Sequence, residues 1–489
     1  MPKIPQFAIE GWQEGVAPHP ILGFAHVRNS DISTNPGSFR TNNILSKKSS
    51  TTVTGNIIGF RINPNSSQQI YAYDTGAVVY KSTDNGSTWT TIGGNSSGTG
   101  TGIAIWKDYL FVATNTKLDA YGPLSSSPSW STNWQTLDSS TTHIMLESVD
   151  DRLYICNGRY VSQLKELTTF APGTSSTYAW NQRAITLGSG YITTCMDDLG
   201  SYLMVGTRRG NGYDFKVADI FPYTRTDLTL GIPLKLQENG VNAMIAINNR
   251  LYVQAGIEGK FFECDTVTFS EIAKIPNYII NLDGGSFIVT FPGAIMLHRG
   301  KIFFGVSSSS ILGNLGVWSI RLDTKKLQLE NTISTGNDGS TASMYINALI
   351  SLSRDTYMCA WFDNVTPSYG IDRIDNQVRY SNYETAIESP LYHIGESLGN
   401  RTIGSIEVHL DKPLATGQGV RIKYRGNLNS AFTTLGTYTY STEGAVLSFN
   451  KPAAVMTNLV FLQIRVEAAS NSNSNLSPEV KRVLLKLSV

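Results

Sequence analysis

Cysteine is scarce in this chain, with 4 residues among 489, and no two of them form a Cys-x-x-Cys pair. That absence argues against a zinc ribbon, a redox motif and a scaffold stapled by disulfides. A free cysteine in or beside an apolar run usually packs as a small buried hydrophobe. We therefore expect buried, unpaired thiols at Cys156, Cys195, Cys264 and Cys359.

Charge of either sign is also limited. Lys and Arg total 39 against 38 for Asp and Glu, which gives a net charge of +1 at pH 7. This balance excludes a whole-protein field that would hold the chain on nucleic acid or on an anionic membrane, so we expect no sequence-specific nucleic-acid binding. The 6 histidines show neither an i, i+4 nor a His-x-His spacing, and we expect no metal site and no cofactor.

Long apolar runs are missing as well. The longest, residues 287–297, is interrupted by Thr290, Pro292 and Gly293. It is far shorter than the roughly 20 residues that a membrane-spanning helix needs. The first residues hold one lysine and no apolar segment of the signal-peptide kind. We therefore expect no export signal and no membrane anchor.

The composition that remains favours sheets and turns. The chain has 44 Gly but only 18 Pro, together with 23 Tyr, 8 Trp and runs of Ser, Thr and Asn. Aromatic residues fit pleated strands, and Gly, Ser and Asn fit turns. The sequence predicts an all-β protein that is long enough for two or three domains.

A short strand pattern recurs along the middle of the chain, roughly aliphatic, aromatic, aliphatic and small. In most copies another apolar strand precedes it across a short polar turn, as in a hairpin. Repeats of this length are typical of β-propellers, whereas the repeats of the alternative, a β-helix solenoid, are much shorter. We therefore predict a seven-bladed β-propeller over residues 56–390. The seven copies lie 40 to 54 residues apart and start at Ile70, Leu110, Leu153, Leu203, Leu251, Ile302 and Thr356.

The flanking regions lack this repeat. After Pro390 the strands alternate apolar and polar residues with period two, which predicts a C-terminal antiparallel β-sandwich over residues 391–489. Residues 1–55 are expected to form an N-terminal extended arm and connector. Two long loops, residues 221–233 and 307–316, are expected to face solvent and to be free for a partner. The six sandwich strands are expected at residues 403–410, 420–424, 432–435, 445–449, 459–466 and 480–487.

The sharpest motif is an Asp box at residues 82–89, with the pattern Ser/Thr-x-Asp-x-Gly-x-x-Trp. Ser82 opens it, Asp84 can accept hydrogen bonds from the following backbone, Gly86 supplies a positive φ, and Trp89 can pack on the adjacent strand. The motif resembles the Asp boxes of sialidases and other propellers, where it marks the fold away from the catalytic pocket. We interpret it as a structural turn, with ligand contact as the alternative.

No catalytic set is recognisable in the sequence. A sialidase-like site would need three converging arginines, a Tyr nucleophile with a Glu partner, and an Asp acid/base. The arginines are expected mostly in hairpin turns as solvated charges, and we predict that the protein is not an enzyme. They are Arg61, Arg152, Arg250, Arg299 and Arg354.

Three smaller features have ordinary explanations. Asp150-Asp151 and Asp197-Asp198 are expected in tight turns rather than at a calcium ion. Arg208-Arg209 is interpreted as a solvated basic spot. Trp130 and Trp134 form a pair of aromatics expected on a loop. Such a pair can stack on a sugar, and the other explanation is packing between blades.

The whole layout resembles virion structural proteins of tailed bacteriophages, notably nozzle or tail-hub proteins of short-tailed phages. The residues that carry the resemblance are Asp31-Ile32 with Pro36-Gly37, the Asp box, and the segment Ser477-Pro478-Glu479-Val480. The resemblance implies a structural tail component that assembles as a homo-oligomeric ring with copies of itself and contacts adaptor or fibre proteins. It also implies a virion location after assembly in the host cytoplasm.

Two other functions stay open at this point. The first is a glycan-binding or sialidase-like propeller, either a receptor-binding tail protein or a glycoside hydrolase, with Trp130 and Trp134 as the glycan contacts. The second is a cellular propeller scaffold.

Overall fold

A computed structural model describes residues 6–9, 26–32, 37–49, 53–140, 142–165, 180–210, 215–276, 287–310, 313–365, 367–393, 402–426, 430–440, 444–450, 461–471 and 476–488. Every regular element in these residues is a β-strand. No helix in this part of the chain is long and apolar enough to cross a membrane. Pro36, one residue of the expected Pro36-Gly37 turn, lies outside the described residues.

The strands are numbered here in chain order. The first are β1 (Gln6–Ile9), β2 (His26–Arg28), β3 (Ser30–Asp31), β4 (Arg40–Thr41) and β5 (Asn43–Lys47). They are followed by β6 (Ile57–Asn63), β7 (Ser66–Asp74), β8 (Val79–Ser82), β9 (Thr90–Ile92), β10 (Gly100–Trp106), β11 (Tyr109–Thr114), β12 (Lys117–Gly122), β13 (Ser129–Thr136), β14 (Met145–Glu147), β15 (Arg152–Asn157), β16 (Tyr160–Lys165) and β17 (Trp180–Thr186). Next come β18 (Tyr191–Leu199), β19 (Tyr202–Arg209), β20 (Ala218–Thr224), β21 (Leu234–Leu236), β22 (Val241–Ile247), β23 (Arg250–Ala255), β24 (Lys260–Cys264), β25 (Phe269–Lys274), β26 (Ile288–Val289), β27 (Ile295–His298), β28 (Lys301–Ser308), β29 (Gly316–Arg321) and β30 (Leu327–Asn331). The last are β31 (Met344–Ser353), β32 (Thr356–Asp363), β33 (Ser368–Arg379), β34 (Thr385–Glu388), β35 (Tyr392–His393), β36 (Thr402–Leu410), β37 (Gly419–Arg425), β38 (Thr433–Tyr438), β39 (Val446–Asn450), β40 (Phe461–Ala469) and β41 (Val480–Ser488).

The chain divides into two compact units, and the larger one comprises residues 46–317 and 333–373. It contains five consecutive four-stranded antiparallel sheets, β6–β9, β10–β13, β14–β17, β18–β21 and β22–β25. Further along, β26 and β27 pair with β28, and β31, β32 and β33 follow in order. The apolar repeat of the sequence forms the second strand of each sheet, such as the almost wholly buried β11 and β15.

The first strands of these sheets contact one another in sequence. β6 contacts β10, and the contacts continue through β14, β18, β22, β27 and β31, which in turn contacts β6. Sheets that pack in a closed circle through their first strands form a β-propeller. The fold is therefore an all-β propeller, as the repeat predicted.

The core of this unit lies between successive sheets. Tyr73 and Val79 of the first sheet pack with Ile105 and Val112 of the second, all of them buried. Each such side chain contributes roughly 1.5–3 kcal/mol when fully buried. Close approach also requires glycine, because a Cβ on Gly102 would lie 1.9 Å from the carbonyl oxygen of the next sheet's His143.

The cysteines belong to this packing. All four are free and buried, and burial raises the pKa of the Cys156 thiol to about 12. The expectation of buried, unpaired thiols is confirmed.

The smaller unit comprises residues 1–45, 318–332 and 374–489. One of its sheets has the order β1-β41-β36-β39, a second contains β38-β37-β40-β34-β2-β30-β29, and β3 pairs with β4. A strand is present within each of the six ranges expected after residue 390, although residues 459–460 lie outside the described residues. β37 alternates buried and half-buried residues along most of its length. The domain boundaries at 55/56 and 390/391 stay predictions, and the compact units begin and end at other residues.

Where it is described, the N-terminal segment forms short extended strands that belong to sheets of its own chain, and the extended arm and connector over residues 1–55 stays a prediction. β2 lies between β30, to which it is parallel, and the antiparallel β34. Val27 and Phe39 are fully buried, and Phe39 exchanges two backbone hydrogen bonds of 2.9 Å with Val480. β2 therefore belongs to a sheet of its own chain. Its backbone forms hydrogen bonds with the edges of β30 and β34, which would otherwise be unpaired.

Three local expectations are wrong. Ser307 and Ser308, expected in the second long loop, are buried in strand β28. Residues 221–224, expected at the start of a long loop, complete strand β20. Asp197 and Asp198, expected in a tight turn, lie in β18. The turn that follows uses Gly200, whose φ of 58° suits glycine.

Candidate functional site

The Asp box forms the connection between β8 and β9. One Asp84 carboxylate oxygen accepts hydrogen bonds from the backbone N–H of Ser87 at 2.9 Å and of Thr88 at 2.8 Å, and from the Ser82 hydroxyl at 2.8 Å. Slight burial raises the pKa of Asp84, but the hydrogen bonds from Thr88, Ser82 and Ser87 outweigh it and hold the pKa below its usual value. Gly86 has a φ of 78°, as its place in the turn requires.

Trp89 anchors the Asp box in the core. Its ring is 4% exposed and lies 6.3 Å from that of Phe60. Arg373 donates hydrogen bonds to the Asn85 carbonyl at 2.7 Å and to the Ser87 hydroxyl at 2.8 Å, which ties the turn to β33. The geometry is that of a packed hairpin turn, and its role as a fold marker rather than a ligand contact stays a prediction.

Trp130 and Trp134 lie on strand β13, so their expected loop placement is wrong. Trp130 packs on Tyr121 with 4.8 Å between ring centroids. Trp134 lies 6.3 Å from Trp180 of the next sheet. Both rings are half-buried in these contacts, and a glycan contact by them stays a prediction.

One edge of the propeller sheets carries the first and third connection of every sheet, because the strands of an antiparallel meander reverse direction at each turn. We call this edge the turn face. Side chains link its turns from sheet to sheet: Asn65 donates to Asp108 at 2.5 Å, and Lys107 pairs with Asp151. The Asp box, a third connection, also lies on this face.

The arginines expected as solvated charges on the turn face have partners. Arg152 lies 3.3 Å from Asp150, Arg250 lies 3.2 Å from Asp265, and Arg299 lies 2.7 Å from Asp355. Arg299 also donates to the Arg354 carbonyl at 2.9 Å. Arg250, Arg299 and Arg354 are exposed in or beside hairpin turns, as expected, whereas Arg152 is half-buried in its ion pair.

Arg61 differs from the other arginines in its place. It lies on the first strand of its sheet, β6, where burial lowers the pKa of its guanidinium to about 10 against the opposing effect of Glu147. Among the described residues no three His, Cys, Asp or Glu side chains are grouped so that they could hold a metal ion.

The turn face also exposes large apolar side chains, which sequence reasoning missed. Val149 and Ile232 are each 77% exposed, and Val267 is 68% exposed. They lie in the first connection of the β14–β17 sheet and in the third connections of the next two sheets. We call the following residues the apolar set: Val149, Leu230, Ile232, Val267, Phe269 and Leu297.

Two half-buried aspartates of β18 hold part of this face in place. Asp198 accepts hydrogen bonds from the Ser148 hydroxyl and the Val149 N–H, each at 2.9 Å. Asp197 accepts from the Ala246 N–H of the following sheet at 2.7 Å. Asp197 and Asp198 thus join three successive sheets through hydrogen bonds. The connection that exposes Val149 is held by its hydrogen bonds to Asp198.

Comparisons with known proteins give matches of structure only. No protein-family model and no curated protein matches the chain. The β-propeller domain of Cps50 (Swd1) from Myceliophteria thermophila is similar, with 10% identity, a TM-score of 0.45, and coverage of 68% of this chain and 99% of that one. The structure of U3-55K has 13% identity and a TM-score of 0.46, and the match covers 68% of this chain and 98% of that one.

A third similar structure is the extracellular domain of the hybrid two-component system BT4673 from B. thetaiotaomicron. It has 13% identity and a TM-score of 0.45, and the match covers 85% of this chain but only 61% of that one. Similarities at this level of identity concern the strand arrangement, and no activity or partner of these proteins is carried over.

Proposed function

We propose that the protein is a non-enzymatic structural component of a tailed-phage virion, in the tail, nozzle or hub, that works by assembling with copies of itself in a ring and with neighbouring adaptor or fibre proteins. The observation that carries the assembly part is the apolar set on the turn face. The virion setting rests on the sequence resemblance of Asp31-Ile32, the Asp box and residues 477–480.

The architecture we propose for this component is a seven-bladed propeller with a C-terminal sandwich. The closed series of contacts from β6 through β31 supports the blade number, since seven first strands take part. Two sheets in the smaller unit support the sandwich. Tyr438 of one packs edge-on against Phe449 of the other at 4.9 Å.

The apolar set suits a protein partner for energetic reasons. Single exposed apolar residues are ordinary on a protein surface, but several on one face mark an interaction site. The set spans four successive sheets and is interspersed with ion pairs such as Arg250–Asp265.

The test compares two surfaces of the full chain. Ile232→Asp combined with Val267→Asp places charges in the proposed contact. Val365→Asp is the matched control, because Val365 is 54% exposed in the second connection of its sheet, at the opposite edge. Mass photometry is expected to show a defined ring for the wild type and the control and smaller species for the double variant. A wild type that is monomeric at all concentrations contradicts the proposal.

The virion setting and the absence of catalysis need their own measurements. Mass spectrometry of purified phage particles is expected to detect the chain as a stoichiometric component. Incubation with sialosides and other glycans is expected to give no turnover. Turnover that disappears on mutation of one carboxylate near the propeller axis would favour the glycoside-hydrolase alternative instead.

A further inference from the structure

A cavity of about 550 Å³ opens at the edge of the sheets opposite the turn face. Its lining comes from the connections before β10 and β14, from those after β11 and β15, and from the ends of β18 and β19 that face the same edge. The volume lies within the range of roughly 300–1,000 Å³ that is usual for small-molecule sites. The lining residues are Thr99, Asn115, Ser139, Ser140, Gly158, Ile192 and Arg208.

The walls of this cavity are held by hydrogen bonds between sheets. The Ser140 N–H donates to the Asn115 carbonyl at 3.2 Å, and the Thr193 N–H donates to the Gly158 carbonyl at 2.8 Å. Behind Ser140, one ring nitrogen of the buried His143 lies 2.8 Å from the Thr101 hydroxyl. The cavity is therefore preformed, and a ligand would bind without first ordering these loops.

Most of the lining can exchange hydrogen bonds with a polar ligand. Thr99 and Ser139 carry hydroxyls, Asn115 carries an amide, and all three residues are exposed. Hydroxyl and amide groups both donate and accept, which matches the alternating donors and acceptors of a sugar. Ile192 adds one apolar wall.

Arg208 is the one charged residue of the lining. Its backbone pairs with Ile192, and among the described residues its buried Nε has no hydrogen-bond partner. The side chain as a whole is only half-buried, so the accessible part of its guanidinium can form a charge-assisted hydrogen bond to a bound anion. Neighbouring Arg209 is exposed and lies over the Phe215 ring at 6.0 Å, outside the lining.

We propose that this cavity binds a sugar acid, a saccharide that carries a carboxylate. Arg208 pairs with the carboxylate, to which a guanidinium fork is geometrically matched. Thr99, Asn115 and Ser139 bind the sugar hydroxyls, and Ile192 contacts the apolar face of the ring. The inference is independent of the virion proposal, because it uses neither the apolar set nor a partner protein.

The experiment measures binding to the full chain by isothermal titration calorimetry, with sodium D-glucuronate, D-glucose and inorganic phosphate as probes. Glucuronate is expected to bind at least about tenfold more tightly than glucose, since only the former engages Arg208. Phosphate is expected to bind more weakly than glucuronate, because it lacks the groups that the hydroxyl side chains recognise.

Variants then locate the site. Arg208→Gln is expected to lower the affinity for glucuronate to that for glucose, while the matched charge control Arg209→Gln leaves it unchanged. Ile192→Trp fills the cavity and keeps both arginines. It is expected to abolish glucuronate binding as well, and it tests the site if Arg208→Gln fails to fold. The proposal is overturned if the wild type shows no saturable glucuronate binding, if both arginine variants lose binding equally, or if phosphate binds as tightly as glucuronate.

Discussion

Three arginines of the turn face differ from Arg208 at the opposite edge of the propeller sheets. On the turn face, Arg152, Arg250 and Arg299 each lie beside a carboxylate. At the opposite edge, Arg208 lines a cavity with a buried Nε that has no partner among the described residues. An edge whose charges are already paired, and which exposes apolar side chains, suits a protein surface. An edge on which one arginine lines a polar cavity suits a small anion.

Both edges depend on the packing of the sheets that carry them. Trp89→Ala removes a large buried side chain from that packing. Trp89 is buried against Phe60. Its truncation is expected to lower the free energy of unfolding by about 3–5 kcal/mol, the range for large-to-small changes in cores. Chemical denaturation measures the effect, with half-buried Trp130→Ala as the control for a smaller loss. If Trp89→Ala left the stability unchanged but abolished glycan binding, the Asp box would be a ligand contact rather than a structural turn.

Acid should weaken both edges, through one buried histidine at each. Burial lowers the pKa of His143, near the cavity, and of His298, on the turn face, to about 4 each. An unfolded histidine titrates near 6.5. Between pH 6.5 and 4 the unfolded chain therefore binds more protons, and stability falls as the pH falls through this window. Across this window each histidine is expected to lower the free energy of unfolding by up to about 3 kcal/mol.

The variants His143→Asn and His298→Asn separate the two contributions. Each is expected to flatten the dependence of unfolding free energy on pH between 7 and 4. Only His143→Asn should change how acid affects glucuronate binding, because His143 lies behind the Ser140 wall. An equal effect of His298→Asn on that binding would show that the edges are not independent.

Local patterns in the sequence predicted the parts of the fold that local chemistry determines. The strand repeat, the strands after residue 390 and the buried cysteines follow from residues close together in the chain. The place of β2 between β30 and β34 does not, because Arg28 pairs across about 300 residues with Leu329, and nothing near it in sequence marks those partners.

The candidate sites were harder to predict for the same reason. Whether an arginine is paired depends partly on residues that other sheets bring near, as for Arg299 and Asp355, although Asp150 lies only two residues before Arg152. The sequence predicts one solvated basic spot at Arg208-Arg209, yet only Arg209 is exposed. It also predicts a turn at Asp197-Asp198, whereas the chain reverses at the following Gly200, which is the better signal.

Asp198→Ala is expected to loosen the turn face alone. It removes the acceptor for the Ser148 hydroxyl and the Val149 N–H. Ser148 is buried, and a buried donor left without a partner costs roughly 1–3 kcal/mol, whereas the Val149 N–H lies near solvent and can bond to water. Hydrogen exchange should show faster amide exchange at residues 148–151, and ring formation should weaken. Glucuronate binding should not change, and a loss there would contradict the separation of the two edges.

The smallest expected effect is that of Asp84→Ala on the turn face. Asp84 accepts two backbone hydrogen bonds within its own turn, from Ser87 and Thr88, but the turn lies near solvent, so water can replace the carboxylate at both donors. The loss in unfolding free energy should therefore be about 1 kcal/mol. Because the folded pKa of Asp84 is lowered, its contribution is present above the unfolded pKa and is lost as the pH falls through the folded value. The difference between wild type and Asp84→Ala in chemical denaturation should accordingly shrink below about pH 4. A difference that persists at low pH would mean that Asp84 acts through packing rather than through its charge.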